Sequence, residues 1–260
     1  MSRFIALFAA LAVWTAAAPI ASAQSPTTPA QAFERGRQIH DFDQAAWKST
    51  DVLLKTLPKE RLAEVRGWLV EADGDSQQVL YYGVRDGAPY GVFSSTVRKQ
   101  TVTASREIKA DETSALKPIQ LRMIQARNVV IEAAPTLARC SKAGFNTVIV
   151  PPASVEAPVD VYVLTPQEGP GQYPVGGHYR FTVAIDGKIL SQRAFTNSCL
   201  SQKAEPGAVG MVVSHLLDPT PTEIHAWLAL WSGMPVYVAV AKPEQLWEVN
   251  GKGMRKVAKP

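Results

Sequence analysis

The first 23 residues decide the redox setting in which the rest of this chain folds. Met1-Ser2-Arg3 is a short positive segment, residues 4–18 are almost wholly apolar, Pro19 breaks the run, and Ala21-Ser22-Ala23 has the A-x-A form of a cleavage site. The run is shorter than the ~20 residues a spanning helix needs, and no cysteine follows it to carry a lipid. It therefore reads as an export signal that is removed. The later apolar stretches, at 224–231 and 235–241, are also too short to span. The expectation is a periplasmic or secreted protein with no transmembrane segment after the signal is gone.

That setting fixes the reading of the two cysteines. Cys140 and Cys199 form no CxxC pair, which leaves thioredoxin-like and haem-attachment chemistry unsupported. In an oxidising compartment two cysteines in one chain pair. A link closing about 60 residues contributes about 4 kcal/mol in the chain-entropy picture.

Composition narrows the class further. Hydrophobic residues make up 46% and charged residues 19%, which excludes wholesale disorder. The 27 basic and 23 acidic residues are scattered, without the Lys/Arg clusters that track phosphates, so no nucleic-acid partner is expected.

Along the chain, residues 24–40 read as a flexible leader containing the stretch QSPTTPAQ. A helix is expected over 42–57, with Asp41 and Gln44 as a loose capping box and Pro58 as its stop. Residues 65–108 change to a strand-like period punctuated by Asp73-Gly74 and Asp86-Gly87, which predicts a four-stranded antiparallel meander. Pro118 suits a first helical position, and Leu116, Ile119, Met123, Ala126, Val130 and Ala133 form one apolar stripe, predicting a second helix over 118–134. Beyond it, a Pro- and Gly-rich region interrupted by a short strand at 159–164 is followed by short strands at 178–185, 189–195, 209–217, 222–231, 235–241 and 246–249. Short connections favour antiparallel pairing. The fold class is α+β: antiparallel β-sheets with one or two amphipathic helices packed on a face. The expected organisation is 41–140 for the helix, meander and second helix, and 141–260 for a C-terminal antiparallel β-rich region, with the two parts open to being one domain. A transmembrane barrel is the runner-up, opposed by the helices and the short strands.

Candidate chemistry concentrates in the C-terminal part. Three of the four histidines, His178, His215 and His225, lie there, with Glu223 two residues before His225. If 222–231 is a strand, Glu223 and His225 share a face, and His215 joins them in a favourable hairpin register about Asp218–Pro221. Imidazole and carboxylate groups of this kind hold zinc, so His178, His215, Glu223 and His225 are the metal-site candidates, against the plainer reading of turn chemistry and half-buried rings. Trp227 and Trp231 fall on the same expected strand face and are ligand-cleft candidates, with core packing as the competing reading. No G-x-S-x-G elbow, P-loop or dinucleotide fingerprint occurs. The residues therefore favour a non-enzymatic envelope protein that binds a small ligand or another envelope protein. The alternatives are a zinc-dependent hydrolase and a structural or assembly factor.

Overall fold

The computed structural model describes residues 26–109, 112, 116–205 and 207–258. The expected export signal lies outside them. Helix α1 spans Pro29–Thr56, so the leader expected at 24–40 is helical from Pro29 onward. The cause is local. Pro29 sits at the first helical position, where its missing N–H is not needed. Thr28 accepts from the Gln31 amide at 3.2 Å, and Gln31 Oε1 accepts from the Thr28 amide at 3.2 Å. This reciprocal cap supersedes the one expected at Asp41 and Gln44, and Asp41 lies mid-helix, paired with Arg37 and His40. The helix ends at Leu57, whose extended backbone is what a residue before Pro58 adopts. A short turn, α2 (Lys59–Leu62), leads into the sheets.

The meander is as expected. Strands β1 (Gly67–Asp73), β2 (Ser76–Arg85), β3 (Ala88–Arg98) and β4 (Thr101–Glu107) pair antiparallel in chain order. Gly74 and the Asp86-Gly87 pair take the positive φ values their tight turns require. The third turn uses Lys99 and Gln100 at positive φ, without a glycine to announce it. Tyr81 stands opposite Phe93, edge to face at 6.0 Å, and its hydroxyl donates to the Ala46 carbonyl at 3.0 Å, fastening α1 to the sheet.

A second antiparallel sheet has the order β5 (Asn146–Val150), β6 (Val159–Leu164), β8 (Tyr179–Val183), β9 (Ile189–Ala194). β6 is buried along its whole length. Val159, Val161 and Val163 pack with Met123, Ala126 and Val130 of α3 (Pro118–Ala133), as the apolar stripe implies. The alternate residues Asp160, Tyr162 and Leu164 are buried as well, Tyr162 and Leu164 in the core that contains α1. Apart from this sheet, β7 (Gln172–Pro174) pairs antiparallel with β10 (Ser201–Lys203). The Cys140–Cys199 disulfide is formed, joining residues 59 apart in sequence. A Cβ on Gly177 would lie 2.6 Å from Cys140 Sγ, and the residue's φ is +75°, so only glycine passes the crosslink there.

The last sheet departs from expectation. Its order is β11 (Met211–His215), β12 (Val236–Ala241), β13 (Glu244–Asn250), β14 (Gly253–Lys256). β11 and β12 run parallel. The connection between them is helix α4 (Glu223–Ser232), where a strand is expected at 222–231. A short run that is apolar on every side carries no period to separate helix from strand. What decides it is the ends: Thr222 and His225 cap the start, and Gly233, left-handed at φ +69°, closes the finish. A parallel pair needs such a crossover. The hairpin about 218–221 is accordingly absent, and the architecture is α+β with one parallel strand pair.

Helices α1 and α4 cross at Gly36, where a Cβ would lie 2.3 Å from the Glu223 carbonyl and 2.5 Å from Ala226 Cβ. Backbone stands in the way, so the helices would have to separate. Gly36→Ala is expected to lower stability by about 1–3 kcal/mol, despite alanine's better helix propensity. A urea unfolding midpoint at or above that of the parent protein would contradict this crossing.

Candidate functional site

The helical form of residues 223–232 redistributes the predicted site residues. Glu223, in the first turn of α4, accepts from Arg180 Nη1 at 2.9 Å and from the Tyr162 hydroxyl at 3.1 Å. His225 turns its Nδ1 to the Thr222 amide at 3.0 Å and so caps its own helix. His215 on β11 meets His225 edge to face, ring centroids 4.7 Å apart, and its Nε2 bonds Asp218 at 2.8 Å. His178 accepts from the Thr165 amide through Nδ1 at 3.2 Å and donates from Nε2 to the Pro174 carbonyl at 3.0 Å. The structure thus brings His215 and His225 together. It places His178 against Trp227, with centroids 5.0 Å apart, and sends Glu223 to β6 and β8. Among the described residues no group of three or more His, Cys, Asp and Glu side chains is arranged to hold a metal ion.

Trp227 is a core residue, 2% exposed, its ring tilted 31° against that of Trp231 with centroids 4.8 Å apart. The two share a helix face at i, i+4 rather than a strand face. Trp231 is half-buried and takes the Tyr173 ring edge to face at 5.2 Å.

Burial sets the proton affinities here. Desolvation pushes the His178 ring down to about 4 and the His225 ring to about 3, the latter also repelled by His215. Asp218 is held below the usual carboxylate range: desolvation opposes this, but the His215 hydrogen bond and the Arg193 charge outweigh it. Desolvation pushes the Asp43 carboxyl on α1 up to about 6, with Trp227 and His40 pulling the other way.

Two features have no counterpart in the sequence reading. The first is a buried polar network. Arg35 Nη1 donates to Asp160 Oδ2 at 2.9 Å and to the Tyr162 hydroxyl at 3.4 Å, and Thr182 donates to Asp160 Oδ1 at 2.7 Å. Asp160 is 1% exposed. Its only sequence signal is an aspartate inside the apolar run Val159-Asp-Val-Tyr-Val-Leu164, since a charge so placed requires a partner. The second is the outer edge of β11. Val212 is 62% exposed and Leu216 73%, flanked by exposed Leu200, Val209 and Leu217. Leu200, Leu216 and Leu217 line a groove of about 190 Å³ with Val175, Phe195 and Val213. On the side away from β12, the β11 backbone receives one side-chain hydrogen bond among the described residues, from Gln202 to the Val212 carbonyl. No described helix is long and apolar enough to cross a membrane.

No protein-family model matches the chain, and no curated protein matches it in sequence. Among solved structures, a lipoprotein candidate from Clostridium difficile 630 aligns at 13% identity over 56% of this chain and 91% of that one, with a TM-score of 0.19. That likeness is too loose to carry an argument.

The pH dependence follows from the buried groups. Between pH 6.5 and 4 the unfolded chain protonates His178 and His225 while the folded chain does not, so each removes about 1.4 kcal/mol of stability per pH unit as pH falls. Asp43 acts with opposite sign. Its folded carboxyl takes a proton near 6 and the unfolded one near 3.8, so it returns about the same amount between those values. Asp43→Asn is therefore expected to raise stability at pH 7 and to steepen the loss from pH 6 to pH 4. Urea unfolding curves for the two proteins that stay parallel across this window would refute the assignment.

Proposed function

We propose that the chain is exported to the cell envelope and works there as a non-enzymatic binding protein, taking a protein partner along the open edge of β11. The export half rests on the N-terminal pattern, with the disulfide as support, because such bonds persist in oxidising compartments. The binding half rests on one observation. Exposed aliphatic side chains gather around a sheet edge whose backbone groups are almost unclaimed. Unprotected edges of this kind pair with other chains. A partner in extended conformation would add main-chain hydrogen bonds to β11, lay apolar side chains over Val212, and fill the groove beside Leu216.

The metal-dependent hydrolase receives less support. Both His178 nitrogens, His215 Nε2, His225 Nδ1 and Glu223 Oε1 already serve structural hydrogen bonds.

A photo-crosslinking residue at Val212, compared with one at the equally exposed Leu54 on α1, tests the partner edge in intact cells. The expected result is one discrete adduct from position 212, absent from position 54 and lost when Leu216→Glu is added. Equal or no adducts at the two positions would overturn the edge. Separately, the cell-fractionated protein should begin after residue 23 and migrate as an oxidised monomer that shifts on reduction. Full-length, reduced protein in the cytosol would overturn export.

A further inference from the structure

A second surface, independent of the β11 edge, is a cleft of about 470 Å³ between the first half of α1 and the β1–β2 turn. Its volume falls in the range of small-molecule sites. Arg35 belongs to its lining, and its side chain keeps 18% exposure while its partner Asp160 keeps 1%. The guanidinium is anchored through one nitrogen: Nη1 makes both protein hydrogen bonds, to Asp160 and Tyr162. Nε and Nη2 take no partner among the described residues. These two nitrogens form the side-on edge of the fork, whose parallel N–H bonds match the two oxygens of a carboxylate. The anchor fixes the fork before any ligand arrives, which removes most of the ordering cost of a long side chain.

The surrounding charges narrow the ligand class. Asp160 already balances Arg35. On the rim, Arg37 pairs with Glu34 and lies 3.8 Å from Asp41, which also meets His40 Nδ1 at 3.1 Å, so the rim presents two carboxylates to one guanidinium and one imidazole. Gln38 and Gln77 add amide groups from the two walls. An anion alone would leave the rim carboxylates unused; a cation alone would leave the open edge of Arg35 unused.

We propose that this cleft binds a small zwitterion, an amino acid or the end of a short peptide, with its carboxylate on Arg35 Nε and Nη2 and its ammonium toward Glu34 and Asp41. Calorimetric titration of the mature chain with three probes tests it: alanyl-alanine, N-acetylalanine lacking the cation, and alanine amide lacking the anion. The expected result is saturable one-to-one binding of alanyl-alanine, at least about fivefold weaker binding of N-acetylalanine, and none of alanine amide. Arg35→Gln alone would strand Asp160 in the core, so the variants are R35Q/D160N and the cleft-filling Q77W, which spares the pair. Each should weaken alanyl-alanine at least about tenfold while keeping the native circular dichroism spectrum. No binding by the folded parent, equal affinity for alanyl-alanine and N-acetylalanine, or unchanged binding in a folded variant would each overturn the proposal.

Discussion

The arrangement turns on the polar residues of β6. Asp160 and Tyr162 point from a fully buried strand into the space where α1, α4 and β8 converge. An ionised carboxylate there would cost several kcal/mol if left alone. It is matched by Arg35 from α1, and the neighbouring Glu223 from α4 is matched by Arg180 from β8. Apolar packing alone would tolerate small slides of either helix along the sheet. Directional bonds to fixed atoms do not, and they set where the first half of α1 and the first turn of α4 must sit. Gly36 then becomes obligatory, because the same docking drives the two helix backbones together at the residue next to Arg35.

This dependence explains what the sequence revealed and what it concealed. The meander, the α3 stripe and the disulfide are legible because each is decided locally or by simple pairing: Asp-Gly turns, one helical period, and two cysteines in one chain. The start of α1 was hidden by Pro29, which signals a break in most contexts and a helix start only when a cap precedes it. Residues 223–232 were hidden by their short length and high hydrophobicity, since a mostly apolar run of ten residues gives little periodicity to separate helix from strand. The strand assignment then carried the site with it. Under a two-residue period Glu223 and His225 face together; in the helix they diverge, one to Arg180 and the other to its own cap.

The buried network was invisible for a different reason. Arg35, Asp160, Arg180 and Glu223 are brought together from four elements, and the Arg35–Asp160 bond alone spans 125 positions. No spacing rule links them. What the sequence does show is the anomaly of one aspartate in an apolar strand, a demand for a partner without its address.

The proposed binding role rests on which groups are committed inside the fold and which face outward. A group that performs proton transfer must be reachable and have a free valence toward the substrate. Here the two histidines whose proton affinity burial lowers, His178 and His225, are sealed in the interior and hold backbone amides. Two outward-facing features are of another kind: aliphatic side chains and backbone at the β11 edge, and one pre-anchored guanidinium edge in the α1 cleft. The first offers apolar area and strand pairing, the second a fixed fork for a carboxylate. Both would be means of holding a molecule, and the interior beneath the α1 cleft is fixed by the Arg35–Asp160 and Arg180–Glu223 ion pairs.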